Sequence, residues 1–378
     1  MHHSFSASRH HGFSLVEIMV GMAIGLLGVL IIMQVSVVFE GQKRTTTTGS
    51  DAQTNAVTAL YTVDRDVRRA GYGLSLPGAL GCTIRQYYDG AEIENLSLAP
   101  VVITSGADGG PDSIRILASS KGNWSIPSRI TVDHPPQAAN IFLNTNLGIK
   151  EGDLLIAYEP GKTCTLMQTT KALPGTPDST VQIHHQSTSK WNPPNGSIFP
   201  TEGYSVGAMV LNMGALINHT YSLDASSNLM LTELDSTSNT DTERAVAADI
   251  VSLQAEYGFD TRAGLQDDPR VDTWSATMID ADASGTVNDA GDIARVIAVR
   301  IAVVARSPLM EKPNADGVCD ITIAVAAGGR SANTPTWAGG AIDVSKNTDG
   351  TANANWQCYR YKTFENVIPL RNLLWGRT

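Results

Sequence analysis

The chain has 378 residues, of which 42% are hydrophobic and 17% charged, so it is long and apolar enough to bury a core. Its formal net charge of -10, without a dense run of Lys and Arg, argues against a protein that grips nucleic-acid phosphates. We therefore predict an ordered protein of one large or two modest domains, with no nucleic acid among its partners.

The N-terminus joins a short polar segment to a long apolar one. Residues 1–12 are polar and contain Arg9 and four histidines, whereas Ile18–Phe39 carry no charged side chain. As a helix this apolar stretch spans ~33 Å, enough to cross the hydrocarbon core of a membrane. No small-residue cleavage site follows it, as one would in an ordinary signal peptide, so we expect the helix to be retained.

Glu17 is the exception at the start of this apolar stretch. A charged carboxylate costs ~3 kcal/mol at the centre of a bilayer and less near the interface. Taken alone, Glu17 is explained equally well as a side chain that reaches the membrane edge.

The segment Gly12-Phe-Ser-Leu-Val-Glu17, followed by the charge-free helix, resembles the type IV prepilin motif. The resemblance implies that a membrane peptidase cuts between Gly12 and Phe13 and that Phe13 is then N-methylated. It also implies that the Glu17 carboxylate meets the terminal amine of a neighbouring subunit during assembly. Opposite charges at a membrane cost less when they are paired, so this role accounts for a glutamate at this position.

The membrane topology follows from the same resemblance. Arg9 precedes the apolar helix while Lys43 and Arg44 follow it, and this count does not itself favour a cytoplasmic N-terminus. The resemblance implies one pass through the inner membrane with the head in the periplasm, and a place in the pilus at the cell surface after assembly.

An amphipathic pattern follows the apolar stretch. Ala56, Leu60, Val63 and Val67 recur at steps of four, three and four, with Val57 alongside, which predicts a helix lying on a core. We expect this helix to end at Gly71 in a left-handed cap. The predicted organisation is a cleavable leader (1–12), a stem helix (13–70, with 18–39 in the membrane) and a head (71–378).

The head has the pattern of strands separated by polar turns. We predict an α+β, pilin-like fold in which the long N-terminal helix packs on a large antiparallel β-rich head. Residues 169–196 and 326–354 are rich in small and polar residues and read as long loops. The predicted strands are Ser113–Ala118, Asp153–Tyr158, Val181–His185, Ala208–Leu211, Val251–Gly258 and Ala294–Ala305.

Several head segments resemble PilW-type minor pilins. The resemblance implies a low-copy, non-enzymatic subunit that primes pilus assembly at or near the tip, together with other minor and major pilins, prepilin peptidase and a possible tip adhesin. A pseudopilin of a type II secretion system shares the stem physics and is the alternative. The segments are Asp64-Arg-Asp-Val-Arg-Arg-Ala-Gly-Tyr-Gly73, Gly110-Pro-Asp-Ser-Ile-Arg115, Gly152-Asp-Leu-Leu155, Leu253-Gln-Ala-Glu-Tyr-Gly258, Arg295-Val-Ile-Ala-Val-Arg300 and Pro369-Leu-Arg-Asn372.

The four cysteines are widely spaced and form no C-x-x-C pair, so zinc and thioredoxin-type chemistry lack support. In an exported chain an even number of such cysteines predicts disulfides. Four cysteines allow three pairings; proximity in sequence favours Cys82 with Cys164 and Cys319 with Cys358.

Two short motifs bear on catalysis or metal binding. Gly203-Tyr-Ser-Val-Gly207 matches a G-x-S-x-G nucleophile elbow, which requires a strand, a turn and a helix, but a strand is predicted next. A membrane-anchored hydrolase using Ser205 is therefore only a remote alternative. His184 and His185 would face opposite sides of a strand, so one metal is not expected to take both.

An acidic segment, Asp280–Asp292, resembles an EF-hand calcium loop. Asp280, Asp282 and Ser284 take its first, third and fifth positions, and Gly285 takes the sharp turn. The twelfth position is Gly291 instead of an acidic ligand, so the loop must slip to use a later or earlier carboxylate. We expect either Ca²⁺ binding or a solvated acidic turn. The candidate ligands are Asp280, Asp282, Ser284, Thr286 through its carbonyl, Asn288, Asp289 and Asp292.

Overall fold

A computed structural model describes residues 14–74, 76–122, 126–172, 181–264, 266–326 and 329–374. The chain divides into two units with the boundary after Asp51. Helix α1 (Leu15–Val67) contains this boundary, so its two parts are described separately. Two short helices follow, α2 (Ala290–Arg295) and α3 (Arg371–Leu374).

Within the described residues, twenty strands account for most of the remaining regular structure. They are β1 (Thr83–Tyr88), β2 (Ala91–Ser97), β3 (Val101–Thr104), β4 (Ser113–Ala118), β5 (Ser128–Arg129), β6 (Asn140–Leu143), β7 (Leu154–Tyr158), β8 (Cys164–Gln168), β9 (Lys171–Ala172), β10 (Val181–His184), β11 (Met209–Gly214), β12 (Ile217–Leu223), β13 (Leu229–Asp235), β14 (Thr240–Ala247), β15 (Ile250–Phe259), β16 (Thr273–Ser275), β17 (Val296–Arg306), β18 (Thr336–Trp337), β19 (Gly340–Ala341) and β20 (Tyr361–Pro369).

These strands form five sheets, and every named pair is antiparallel except β1 with β8. The predicted α+β class with an antiparallel β-rich head is confirmed. The orders are β2-β1-β8-β7-β11-β5, β6-β10-β9, β14-β13-β12-β4-β3, β16-β15-β17-β20 and β18-β19.

The second part of α1 buries one face against the head, as its periodicity predicts. Val63 and Val67 are fully buried, whereas Val57 is 46% exposed, so its expected place on the core face is wrong. Val57 follows Ala56 by about 100° around the helix, which turns it away from the sheets. Most of the buried face is alanine, and such small side chains let the helix backbone lie close to the strands. Its members are Ala52, Ala56, Ala59, Val63 and Val67.

The helix ends at Val67, four residues before the predicted cap. Tight turns continue from Arg68 to Gly73, and Gly71 has the predicted left-handed backbone, with φ +75°. Its N–H does not return to the helix but donates to the Leu117 carbonyl (2.9 Å), at the end of β4. Gly71 therefore reverses the chain direction and also hydrogen-bonds the chain to the five-stranded sheet that contains β4.

The head contains two main hydrophobic cores. The first joins the α1 face to β4, β12, β15 and β17. The second, called here the second core, contains Ile130, Ile141, Ile183, Phe199 and Tyr204 with their apolar neighbours. A small third cluster packs the segment around Ile342 and Val344 on Val304 of β17.

All six predicted strands exist; β4 has the predicted bounds, and the other five have shifted ends. The strand predicted at Ala208–Leu211 extends three residues further, to Gly214. At the predicted Ala294–Ala305, Ala294 and Arg295 belong to α2 and the strand runs from Val296 to Arg306. The Asp289 side chain accepts from the Asp292 N–H and caps α2, which a strand pattern does not reveal. Residues 329–354 contain only the two-residue strands β18 and β19, in agreement with the predicted long loop.

Candidate functional site

Helix α1 begins with a capped first turn that contains Glu17. The Ser14 hydroxyl oxygen accepts a hydrogen bond from the Glu17 N–H (3.2 Å), which satisfies one of the free donors of the turn. The Glu17 side chain is exposed in this turn, where the positive end of the helix dipole favours a carboxylate. Gly12 and Phe13, the predicted processing residues, lie outside the described residues.

The segment Leu15–Ser36 is long and apolar enough to cross a membrane, as judged by length and composition. Its large side chains are turned outward; Ile24 and Ile32, for example, are both 65% exposed. An apolar surface of this extent is costly in water and requires lipid or other apolar helices around it. The observed apolar segment, Leu15–Ser36, therefore corresponds to the predicted membrane segment 18–39 and begins and ends a few residues earlier.

A buried polar cluster joins the end of α1 to the head. The buried Asp66 carboxylate accepts hydrogen bonds from the Tyr221 hydroxyl (2.7 Å) and from Nδ1 of His219 (2.8 Å), both on β12. Burial alone would raise the pKa of Asp66, but these two hydrogen bonds outweigh it and hold the pKa below its usual value. Sequence reasoning did not find this cluster, because Asp66 lies more than 150 positions before His219 and Tyr221.

The C-terminal segment also attaches to the helix end. The Asn372 amide donates to the carbonyl of Ala70 (3.0 Å) and lies within hydrogen-bond range of the two preceding carbonyls. The Asn366 amide donates to Asp64 (2.8 Å), whose carboxylate also pairs with Arg68 at 2.6 Å. The Asn372 contacts join two of the segments that resemble PilW-type pilins, Asp64–Gly73 and Pro369–Asn372.

A further pair of those segments meets at Asp112. Its carboxylate accepts from the Ala255 N–H (2.8 Å) and the Gly106 N–H (3.0 Å), so it links the turn before β4 to β15. Burial raises the pKa of Asp112 despite these hydrogen bonds. The family-like segments therefore contain residues that fix strands and helix to one another.

The acidic loop brings three of its predicted ligands together. Ligand oxygens of Asp280, Asp282 and Asp292 lie within 4.8 Å of one another. Asp292 is 0% exposed, and its carboxylate is held by the N–H groups of Ala281 (2.6 Å) and Asn288 (2.7 Å). No Lys or Arg side chain forms an ion pair with these three carboxylates within the described ranges.

The structure explains the glycine at the twelfth position of the loop. A Cβ atom at Gly291 would come within 1.9 Å of the Asp282 carboxylate, so a side chain there would displace that ligand. Asp292 reaches the cluster instead, while Asp289 is used to cap α2 and to accept from Ser284 (3.0 Å). Gly285, at the sharp turn, has φ +86°.

The remaining predicted ligands are held by hydrogen bonds and turns of the loop. Ser284 donates towards the Thr286 carbonyl (3.3 Å), and Asn288 has a left-handed backbone with φ +70°. A hydrogen bond donated by the Ser284 N–H lowers the pKa of the half-buried Asp282, so this carboxylate is ionised at neutral pH. Hard oxygen donors of this kind suit Ca²⁺, which accepts six to eight oxygens at flexible geometry.

Both favoured disulfides are present in the structure. Cys82 is bonded to Cys164 and Cys319 to Cys358, which leaves no free cysteine in the chain. The first bond lies beside the paired strands β1 and β8, and the second closes the long segment between β17 and β20. Disulfides at both places fit an exported protein.

The environment of Ser205 does not resemble a nucleophile elbow. Ser205 is exposed in a turn, its N–H donates to the Glu159 carboxylate (2.8 Å), and the strand β11 follows instead of a helix. Lys162 is already paired with Glu159 at 2.9 Å and lies 3.5 Å from the Ser205 hydroxyl. The arrangement gives no strand, sharp turn and helix to expose a nucleophile.

Two comparisons with known families match the chain. Residues 7–33 match the model described as the prokaryotic N-terminal methylation motif, and residues 217–372 match the model described as type IV pilus-assembly protein W. No curated protein and no solved structure matches the chain significantly.

The methylation motif and the apolar helix define the chain as a type IV prepilin-like protein. The second match makes residues 217–372 of the head similar to the type IV pilus-assembly protein W family, so the chain is type IV pilus-related. The PilW match begins at β12 and reaches α3, so it covers Tyr221, Asn372 and the acidic loop. The second core lies outside both matches.

Proposed function

We propose that this protein is a minor pilin that primes type IV pilus assembly and sits at or near the filament tip. The observation that carries the proposal is a methylation-motif segment (7–33) whose one acidic residue is Glu17, joined in the same chain to a head that resembles PilW. Before assembly the helix anchors the chain in the inner membrane with the head in the periplasm. Its partners are prepilin peptidase, other minor and major pilins and a tip adhesin.

Glu17 is assigned the role of pairing with the N-terminal amine of a neighbouring subunit. Each charge is costly at the membrane alone, and pairing lowers the cost of both. A Glu17→Gln variant at native expression should keep its membrane level, because a neutral side chain inserts more easily. The number of filaments per cell should fall towards that of a deletion strain, since priming requires incorporation.

Asp51→Asn is the matched control for this experiment. Asp51 is exposed on the same helix, so removing its charge should leave filament number unchanged. Normal piliation by Glu17→Gln would contradict the assigned role. If the Glu17→Gln strain loses secretion of type II substrates while its pili stay intact, the alternative of a secretion pseudopilin is favoured.

We also propose that the acidic loop binds Ca²⁺ through Asp280, Asp282 and Asp292. The support is the convergence of three carboxylates around a loop whose first and third positions match an EF-hand. Mutual repulsion of the carboxylates disfavours the loop without a cation, so binding stabilises the folded head. The site is expected to be weak, in the ~10⁻⁴–10⁻³ M range of extracellular modules.

A further inference from the structure

Two histidines from distant parts of the chain form a buried pair beside the second core. His134 and His185 are 2% and 4% exposed, and their Nε2 atoms lie 2.8 Å apart. Phe199 packs on both rings, with centroid distances of 4.8 and 5.3 Å. The hydrogen bond requires one Nε2 to carry a proton and the other to accept it, so this geometry excludes two protonated imidazoles, and burial favours the neutral pair.

The surroundings offer little compensation for a positive charge. His184 adjoins His185, Asp133 adjoins His134 but is exposed, and Tyr204 lies beyond Phe199 with its hydroxyl bonded to Thr165. In the parts of the chain that the structure describes, no carboxylate bonds to either ring. Nδ1 of His134 is buried without a hydrogen-bond partner.

Protonation therefore acts against the pair in two ways. A first added proton places a charge where burial opposes it, and burial lowers the pKa of His134 to about 4. A second added proton would set two Nε2–H groups against each other. Burial and the neighbouring His134 lower the pKa of His185 to about 3.

The pair also connects separate segments. His134 forms a backbone bridge with Tyr204, and the His185 N–H donates to the Ala139 carbonyl (2.9 Å), which leads into β6. Opening these segments would let both imidazoles reach water and regain an ordinary pKa near 6.5.

We propose that His134 and His185 form an acid-sensitive latch that closes the second core at neutral pH and releases it on acidification to about pH 5. The second core lies outside the methylation and PilW matches and contains no residue of α1 or β17, so we expect its release to leave those two elements folded. The inference concerns the fold of this region and is independent of the role proposed for the pilus.

Hydrogen exchange of the full-length protein in detergent, corrected for the intrinsic rates, tests the latch at pH 7 and pH 5. From pH 7 to pH 5 the equilibrium constant for opening should rise roughly twentyfold if one imidazole becomes protonated only in the open form. It should rise by roughly several hundredfold if both do. Peptides covering β6 and β10 should lose protection accordingly, while peptides of β17 should change far less. Equal protection at both pH values, or an equal loss in β17, would overturn the proposal.

Variants separate the latch from general acid sensitivity. His134→Phe and His185→Phe should each reduce the loss of protection to roughly twentyfold or less, because one titrating group is gone. His184→Gln, on the other face of the same strand end, is the control and should behave as wild type. A control variant that abolished the pH effect would contradict the assignment, and the wild-type comparison stands even where a variant fails to fold.

Discussion

The Tyr221 hydroxyl donates a 2.7 Å hydrogen bond to the buried Asp66 carboxylate, which attaches the end of the long helix to the five-stranded sheet. Tyr221→Phe removes the donor but keeps the ring, so we expect the free energy of unfolding to fall by about 1.5–3 kcal/mol. Tyr61→Phe, on an exposed side chain of the same helix, should change it by less than about 0.5 kcal/mol. Denaturant unfolding of the full chain measures the free energy of unfolding of both variants. An equal loss in the two variants would contradict a stabilising role for this hydrogen bond.

The same carboxylate predicts a pH dependence. The pKa of Asp66 is lower in the folded protein than its ordinary value of 3.8, so the unfolded chain binds the proton more tightly. The contribution of Asp66 to stability is therefore complete above pH 3.8 and is lost as the pH falls through the lowered pKa. Asp66→Asn should weaken the loss of unfolding free energy as the pH falls below 3.8, and a loss equal to that of the wild type would contradict this.

The C-terminal attachment predicts a smaller effect. Asn372→Ala removes the donor to the Ala70 carbonyl, and we expect a loss of about 1 kcal/mol of stability. Asn355→Ala, in an exposed turn of the head, is a control for the loss of an amide and should be near neutral. Thermal unfolding of the two variants distinguishes a specific cap from a general effect of the substitution.

Calcium should raise the melting temperature of the full chain in detergent. Stabilisation of about 1.4 kcal/mol is expected when Ca²⁺ is tenfold above its dissociation constant. The double variant Asp280→Asn, Asp282→Asn keeps amide oxygens for the loop N–H groups but should lose the calcium response. Asp316→Asn, in an exposed turn, is the matched control and should keep it.

Gly291→Ala gives an independent test of the loop geometry. Its Cβ would collide with the Asp282 carboxylate, so calcium affinity should fall although no ligand is removed. Titration calorimetry at millimolar Ca²⁺ measures the change. No heat of binding by the wild-type protein, together with equal melting temperatures in calcium and chelator, would leave the segment as a solvated acidic turn.

Local pattern predicted the features whose causes are local. The charge-free run and the helical spacing of Val63 and Val67 gave α1, and apolar runs gave strands such as β4 and β17. Strands with a polar, exposed pattern were missed, such as β14, whose residues are mostly open to water. A strand of this kind is stabilised by its neighbour in the sheet and not by its own hydrophobicity.

The clusters that join distant segments could not be read from the chain. His134 and His185 are separated by 51 positions, and Asp66 and Tyr221 by 155. No local periodicity relates such residues, because the sheet topology alone brings them together. The acidic loop was recognised because its residues are consecutive, but the choice of Asp292 over Asp289 depended on the cap of α2.

Mass spectrometry of the protein recovered from sheared filaments tests the central claim most directly. We predict that the chain is present at low copy and begins with an N-methylated Phe13, because the peptidase cuts after Gly12 before assembly. A Gly12→Leu variant should remain in the inner membrane as precursor and be absent from filaments. Recovery of filament-associated protein that still begins at Met1, or absence of the wild-type chain from filaments, would contradict its assignment as a pilin subunit.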